Sequence, residues 1–400
     1  MNENDVWSYS PAPFLPVYRR YPVRIVRGEG VYVWDDRGRR YLDFTSGVAV
    51  LNLGHVPPPV RRALEEQLGR VWHVSNLFWN EPGERLAERL VALTFPGAVF
   101  FANSGTEVVE AALKLARRHA FLARGLREGE GEFVAFSRSF HGRTIGALSV
   151  TGRPAFHEGY TPLWSNVRFL PYNDLDALEE IVPERTYAVI LELVQGEGGV
   201  YPADPGWVQS LLARVRPHGV PVIVDEVQTG VGRTGPLWAY EAYGFTPDIL
   251  TSAKGLGSGF PVAAMLAREP FAEAFTPGSH GSTFGGGPLA ATAALVTLEV
   301  VADPAFLADS QRRAERLRRG LEEIAREDGR FVVRGRGWLL GLDFGRPVGE
   351  VVDRLREEEA VLVLTAGETV VRVLPPLVAG EGEIDFFLAA LRGVLRRLGG

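Results

Sequence analysis

Short apolar runs alternating with amphipathic helical segments are the feature that most narrows what this chain can become. The runs lie at Val99–Phe101, Val134–Phe136, Ala188–Leu191, Val220–Val224, Ile249–Leu250 and Val262–Leu266. Helical spacing of apolar residues fills several of the intervals, as at Thr106–Ala120 and Pro205–Arg216. Strands that are apolar throughout, with helices between them, predict an α/β fold on a mainly parallel sheet covered on both faces. Ligands bind such sheets at the carboxyl ends of the strands. Chemistry is therefore expected just after the runs.

The flanks read differently. Arg24–Val26, Val31–Trp34 and Tyr41–Phe44, separated by Gly28, Gly30 and the turn Asp35–Gly38, predict a small antiparallel meander. Helical spacing follows at Val60, Ala63, Leu64 and Leu68, and after Asn80 at Leu86, Leu90 and Leu93. A helical stretch over residues 289–319 is broken near Asp303-Pro304. Beyond it come short apolar runs, a helix near Val351–Glu359 and a last helix from Ile384. These parts predict a smaller α+β domain formed by residues 1–50 and 289–400, beside a large domain over 51–288.

The net charge of −6, with no basic stripe, argues against a nucleic-acid partner. The chain has no cysteine, which excludes disulfides, thiolate metal sites and a cysteine nucleophile, and no metal site is expected. Met1–Ser8 shows neither a basic nor an apolar signal region, and no uncharged run approaches membrane-spanning length. A cytoplasmic protein without a membrane partner is expected.

Lys114 and Lys254 are the only lysines; every other basic residue, histidine apart, is arginine. Lysine retained where arginine is otherwise used points to an amine that must lose its proton and attack a carbonyl. Lys254 sits in a Gly- and Ser-rich loop just after the run ending at Leu250.

Other loops follow the same logic. Asn103-Ser-Gly-Thr-Glu107 opens a helix; Ser104 and Glu107 fit a capping box, Gly105 allows close backbone approach, and the free amides favour an anion. A plain capped helix fits that motif equally well. Asp225 ends a buried strand, where a carboxylate is costly unless it faces a cation or caps a turn. In an extended chain Val227 would share its side and could pack on a flat ring. Phe140 offers an apolar face, His141 follows it, and Arg143 can grip a carboxylate bidentately. Glu192 and Glu197 follow another strand, and His280–Gly287 is a further Gly-rich, hydroxyl-bearing loop.

Taken in order, Asn103-Ser-Gly-Thr-Glu107, Phe140-His-Gly-Arg-Thr144, Gln195-Gly-Glu-Gly-Gly199, Asp225–Gly235, Ser252-Ala-Lys254, His280-Gly-Ser-Thr-Phe-Gly-Gly286 and Arg372 with Pro375-Pro376 resemble the class-III pyridoxal-phosphate aminotransferases of fold type I, from about Pro16 to near the end. The resemblance implies that Lys254 holds pyridoxal 5'-phosphate covalently and Asp225 pairs with its ring nitrogen. It further implies that Phe140 and Val227 sandwich the ring beside His141, that Gln228 lies near the phenolic oxygen, and that Ser104, Gly105 and Thr106 hold the phosphate. Thr283 would serve the phosphate of a neighbouring subunit in a homodimer with shared active sites. Arg143 and Ser282 would hold the distal end of the amino donor, Arg372 the α-carboxylate of glutamate, and Glu197 would pair with Arg372 when the first substrate is bound.

Within the family the chain is most similar to members acting on N2-acetylornithine. That implies transfer of its terminal amino group to 2-oxoglutarate, giving N-acetylglutamate 5-semialdehyde and glutamate, in arginine biosynthesis. Alternatives are lysine borne on an amino-group carrier protein, ornithine, 4-aminobutyrate, succinyldiaminopimelate, and a glutamate-semialdehyde aminomutase. Leu193, Gly287 and Val108-Val109 depart from the family pattern of proline, asparagine and Ala-Asn.

Overall fold

The computed structural model describes residues 13–127 and 129–399; Met1–Ser8, read above for a signal region, lies outside the described residues. Strands β1 (Ile25–Glu29), β2 (Tyr32–Asp35) and β3 (Arg40–Asp43) form the antiparallel meander that the Gly-punctuated apolar runs predict. The central sheet contains β4 (Ala98–Ala102), β5 (Glu132–Phe136), β6 (Val167–Leu170) and β7 (Thr186–Leu191). After a small hairpin of β8 (Val194–Gln195) and β9 (Tyr201–Pro202) it gains β10 (Val222–Asp225), β11 (Ile249–Ser252) and β12 (Ala263–Ala267).

Its order is β4-β12-β11-β10-β7-β5-β6. The pairs among β11, β10, β7, β5 and β6 are parallel, as expected, whereas β12 runs antiparallel to both β11 and β4. A parallel return needs a crossover, usually a helix. Residues 253–262 between β11 and β12 hold no α-helix, only loop and the short turn Lys254–Leu256, and β12 comes back reversed. Edge strand β6 is absent from the sequence reading because its Val-Arg-Phe-Leu mixes charge with exposed Phe169.

Both faces of the sheet are covered. Along β10, Ile223 faces the helix Gly105–Arg124, whose Val108, Val109, Ala112 and Leu115 are buried. Val222 and Val224 face the other way, toward Trp207, Leu211 and Leu298. Ile223 is wholly buried, so Ile223→Ala would cost about 2–5 kcal/mol. Val108 and Val109, one of the departures from the family pattern, fill this core.

The helix Glu81–Ala92 starts at Asn80, whose side chain accepts from the Gly83 N–H, and buries Leu86 and Leu90; Leu93 stands at its C-cap. The helical stretch breaks where the sequence predicts, into Pro288–Val301 and Pro304–Asp328, bent by 73° where Asp303 caps the second. Among the described residues no single helix is long and apolar enough to cross a membrane. Beyond these helices, β13 (Val332–Arg336), β14 (Leu339–Asp343), β16 (Leu364–Ala366) and β17 (Val370–Val373) form a second sheet, in the order β13-β14-β17-β16. β15 (Val361–Leu362) instead pairs in parallel with β3, tying the N-terminal meander to the C-terminal third.

Candidate active site

One cavity of about 410 Å³ opens along the sheet edge where the parallel strands end. Its lining includes Ser104, Gly105 and Thr106 after β4, and Phe140, His141 and Arg143 after β5. Glu192 and Glu197 follow β7, Asp225, Val227 and Gln228 end or follow β10, and Lys254 follows β11. Twelve of the sequence-derived candidates therefore share one space, as the apolar runs require. Arg372 reaches it through its neighbours: its Nη1 lies 2.5 Å from Glu197 Oε1 and 3.5 Å from Gln228 Oε1. Ser282 and Thr283 are not in the lining; the Ser282 hydroxyl accepts from the Gly285 N–H, and Thr283 is exposed.

Lys254 adopts a left-handed backbone with φ of 42° at the start of its short turn. Such strain in a non-glycine residue costs about 1–3 kcal/mol and persists only where the surroundings impose it. Burial lowers the pKa of its amine, Glu197 opposes that, and Arg372 reinforces it. An amine so placed is nearer to the neutral, nucleophilic form than an exposed lysine.

Asp225 is 4% exposed and its carboxylate is held from several sides. Oδ1 accepts from the Val227 N–H and the Thr251 hydroxyl, each at 3.1 Å, and Oδ2 lies 2.8 Å from His141 Nδ1. The Val227 contact corrects the extended-chain argument. β10 ends at Asp225, and Val227 enters the cavity from a turn that Asp225 itself caps. Both readings of this aspartate, turn cap and cavity carboxylate, describe the same side chain.

At the start of the helix Gly105–Arg124 the capping box forms in only one direction. The Ser104 hydroxyl donates to Glu107 at 2.6 Å instead of accepting from the helix, while the Asn103 N–H and amide donate to the same carboxylate. Burial alone would raise the pKa of Glu107, but these hydrogen bonds outweigh it and hold it low. The first amides of the helix are left facing the cavity, with the Thr106 hydroxyl 2.9 Å from that of Thr144. A Cβ on Gly105 would lie 2.7 Å from Val227 Cγ1, so the cavity keeps its width there only with glycine.

Glu192 carries more than the sequence reading gave it. Its carboxylate accepts from the Phe140 N–H at 2.9 Å and the Gly196 N–H at 3.4 Å, tying two loops of the cavity together. Burial raises its pKa to about 7, against the pull of His141. Its position after a strand was the available signal; its partner, a backbone amide in another loop, was not. Glu197 goes the other way: burial pushes its pKa up, but Arg372, Lys254 and Arg153 together bring it below the ordinary value. Arg143 lies over the Phe156 ring at 3.4 Å, and among the described residues no carboxylate pairs with it.

This lining fits pyridoxal phosphate. It offers a helix start for a phosphate, a carboxylate for a ring nitrogen, Phe140 and Val227 as apolar walls, and an amine. His141 Nε2 and Gln228 Nε2 are buried without a hydrogen-bond partner among the described residues, as groups that meet a polar ligand would be.

Comparison with known proteins agrees. The model of the class-III aminotransferase family matches residues 16–395. The chain is 43% identical to an acetylornithine aminotransferase of Oceanobacillus iheyensis over 96% of both chains. It is 44% identical to a succinylornithine transaminase/acetylornithine aminotransferase of Pseudomonas aeruginosa, over 94% of this chain and 91% of that one. Among solved structures, the ornithine aminotransferase of Toxoplasma gondii superposes with a TM-score of 0.94 at 30% identity, covering 100% and 96%. The N-acetylornithine aminotransferase of Stenotrophomonas maltophilia gives 0.82 at 35% identity, covering 94% and 96%. The chain belongs to the class-III aminotransferases, a family of pyridoxal-phosphate-dependent enzymes.

Proposed function

We propose that this aminotransferase takes the terminal amino group of N2-acetylornithine and delivers it to 2-oxoglutarate. The observation that carries the reading is the unequal state of two arginines. Among the described residues Arg143 meets no carboxylate beside the cavity, while Arg372 is covered by Glu197. An open guanidinium suits the carboxylate at the far end of a donor. A covered one suits a reacting carbon without a carboxylate, and becomes a carboxylate site when Glu197 turns away. Relatives named acetylornithine aminotransferase, at 41–46% identity, support the same substrate.

When bound, pyridoxal phosphate supplies the electron sink for the chemistry. Ser104, Gly105 and Thr106 would hold its phosphate, Phe140 and Val227 would flank its ring and exclude water, and Gln228 would meet its phenolic oxygen. Asp225, oriented by Thr251 and His141, would hold a proton at the ring nitrogen. Lys254 would anchor the aldehyde carbon and then carry a proton at Nζ to and from the reacting carbon.

A homodimer accounts for the remaining residues. Trp72, Leu77, Phe78, Trp79 and Phe284 are exposed, and Ser282 and Thr283 lie on the same side through the Asn76 amide, which donates to the Ser282 carbonyl. We assign Thr283 to the phosphate and Ser282 to the substrate in the neighbouring subunit. Residues 1–50 and 289–400 are read as the small domain, 51–288 as the large one, and the protein as cytoplasmic.

A panel of amines assayed with 2-oxoglutarate tests the substrate. Acetylornithine is expected to give the highest kcat/KM. The close superposition on ornithine aminotransferase favours ornithine as the second reading, and ornithine turned over fastest would replace the first.

A further inference from the structure

The turn that carries Glu197 is gripped from outside the cavity by a second arginine, Arg334. In the sheet beyond it, Arg334 of β13 pairs with Gly341 of β14, and Gly341 with Arg372 of β17. Residues directly opposite in an antiparallel ladder share a face. Arg334 and Arg372 therefore stand on one face, separated by a residue without a side chain, about 10 Å apart across two strand spacings. Val200 fills the gap: a Cβ on Gly341 would lie 2.8 Å from Val200 Cβ.

The two arginines hold opposite ends of one turn. Arg372 holds the Glu197 carboxylate, and Arg334 Nη2 donates to the Gly199 carbonyl at 3.0 Å. The Arg334 guanidinium lies 3.9 Å over the Tyr201 ring, which Arg138 also contacts at 4.3 Å, and its Nη1 is 2.9 Å from Asp343. Arg153 donates to the Glu197 carbonyl at 3.1 Å. With both carbonyls tied, Glu197 can leave Arg372 only by rotating its own side chain.

We infer that Arg334 is a positioning residue that fixes the turn bearing Glu197 and so sets how readily Glu197 yields Arg372 to a dicarboxylate. The inference rests on the proposed role of Arg372 as the carboxylate site of the cosubstrate. A loosened turn weakens the Glu197–Arg372 pair. Dicarboxylates then displace Glu197 more easily, and donors that need Arg372 covered are served worse.

The test uses glutarate, which has two carboxylates but neither amine nor ketone, titrated calorimetrically into the holoenzyme. Arg334→Met is expected to bind glutarate about threefold to tenfold more tightly than wild type, a tenfold change corresponding to 1.4 kcal/mol. Its kcat/KM should fall for amines without a carboxylate on the reacting carbon and hold or rise for glutamate. Arg334→Lys, which keeps the charge beside Asp343 but not the planar fork, should fall between, and carries the test if the methionine variant does not fold. Glutarate binding unchanged or weakened in both variants, or equal losses for both classes of amine, overturns the proposal. Wild-type glutarate binding that survives Arg372→Ala would instead remove the role of Arg372 beneath it.

Discussion

His141 and Asp225, both buried, meet at 2.8 Å in the cavity lining, and the far nitrogen of the histidine has no hydrogen-bond partner among the described residues. The histidine thus orients one oxygen of the carboxylate while Thr251 and the Val227 amide orient the other. His141→Ala keeps the aspartate but removes one of these restraints. A hydrogen bond to a charged group is worth about 1.5–3 kcal/mol, so cofactor affinity should fall about tenfold or more. Titration of the apoenzyme followed by cofactor absorbance measures it; unchanged affinity would show that Thr251 and Val227 suffice.

Gly105 tests the width of the same floor. An alanine there is acceptable to the helix, but its Cβ lies 2.7 Å from Val227 Cγ1 and must push that side chain. Gly105→Ala should weaken cofactor binding at least about tenfold while the apoprotein loses no more than about 1–3 kcal/mol of stability. A large loss of apoprotein stability would move the role of Gly105 from the cavity to the core.

How much of this was legible in the sequence depends on whether a residue acts through its own neighbours in the chain. Lys254 stands out as one of two lysines in an arginine-rich chain, just after an apolar run, and Asp225 because it ends a buried strand; strand ends share an edge. Four of the five parallel strands can be placed by apolar run and helix alone; the fifth, edge strand β6, cannot, because Arg168 and Phe169 break the pattern. The reversal of β12 could be argued only once the loop at Lys254 was known to hold no crossover helix. Glu192 acts on the Phe140 amide from 52 positions away, and no spacing rule shows that. Ser104 looked like a reciprocal cap, but its hydroxyl had a better acceptor in Glu107.

Glu226 links the Asp225 segment to pH. It is wholly buried, and burial raises its pKa from 4.5 to about 7, against hydrogen bonds from the Ala239 and Tyr240 amides and the Thr229 hydroxyl. The fold thus favours the protonated acid, whereas the unfolded chain releases the proton near 4.5. The stability this provides is full below that value, declines as pH rises, and is lost through about 7. The gap corresponds to roughly 3 kcal/mol. Melting curves between pH 5 and 8 should therefore fall more steeply for wild type than for Glu226→Gln. Parallel curves would mean that Glu226 is ionised throughout.

Lys254 is the residue on which the covalent attachment depends. Lys254→Ala should abolish turnover and still allow loose cofactor binding by the phosphate loop and Asp225. Borohydride reduction of the wild-type holoenzyme, followed by peptide mapping, should leave the cofactor on residue 254. Label on Lys114, whose amine is already 2.8 Å from His280, would overturn the assignment.

The two arginines of the cavity divide the substrates. Arg143 rests on Phe156 and pairs with no acid among the described residues, so its loss exposes no buried counter-charge there. Arg143→Ala should lower kcat/KM for acetylornithine about a hundredfold, the equivalent of about 3 kcal/mol for a lost bidentate contact. Glutamate, held at its other end by Arg372, should lose less. Arg372→Ala reverses the order, and it also strands Glu197, whose pKa is held down chiefly by Arg372 against burial. Freed of that partner, Glu197 should take up a proton more readily, and acetylornithine turnover should fall only modestly while glutamate turnover falls about a hundredfold. Paired half-reaction rates for the two variants decide the matter, and equal losses for both substrates would dissolve the division.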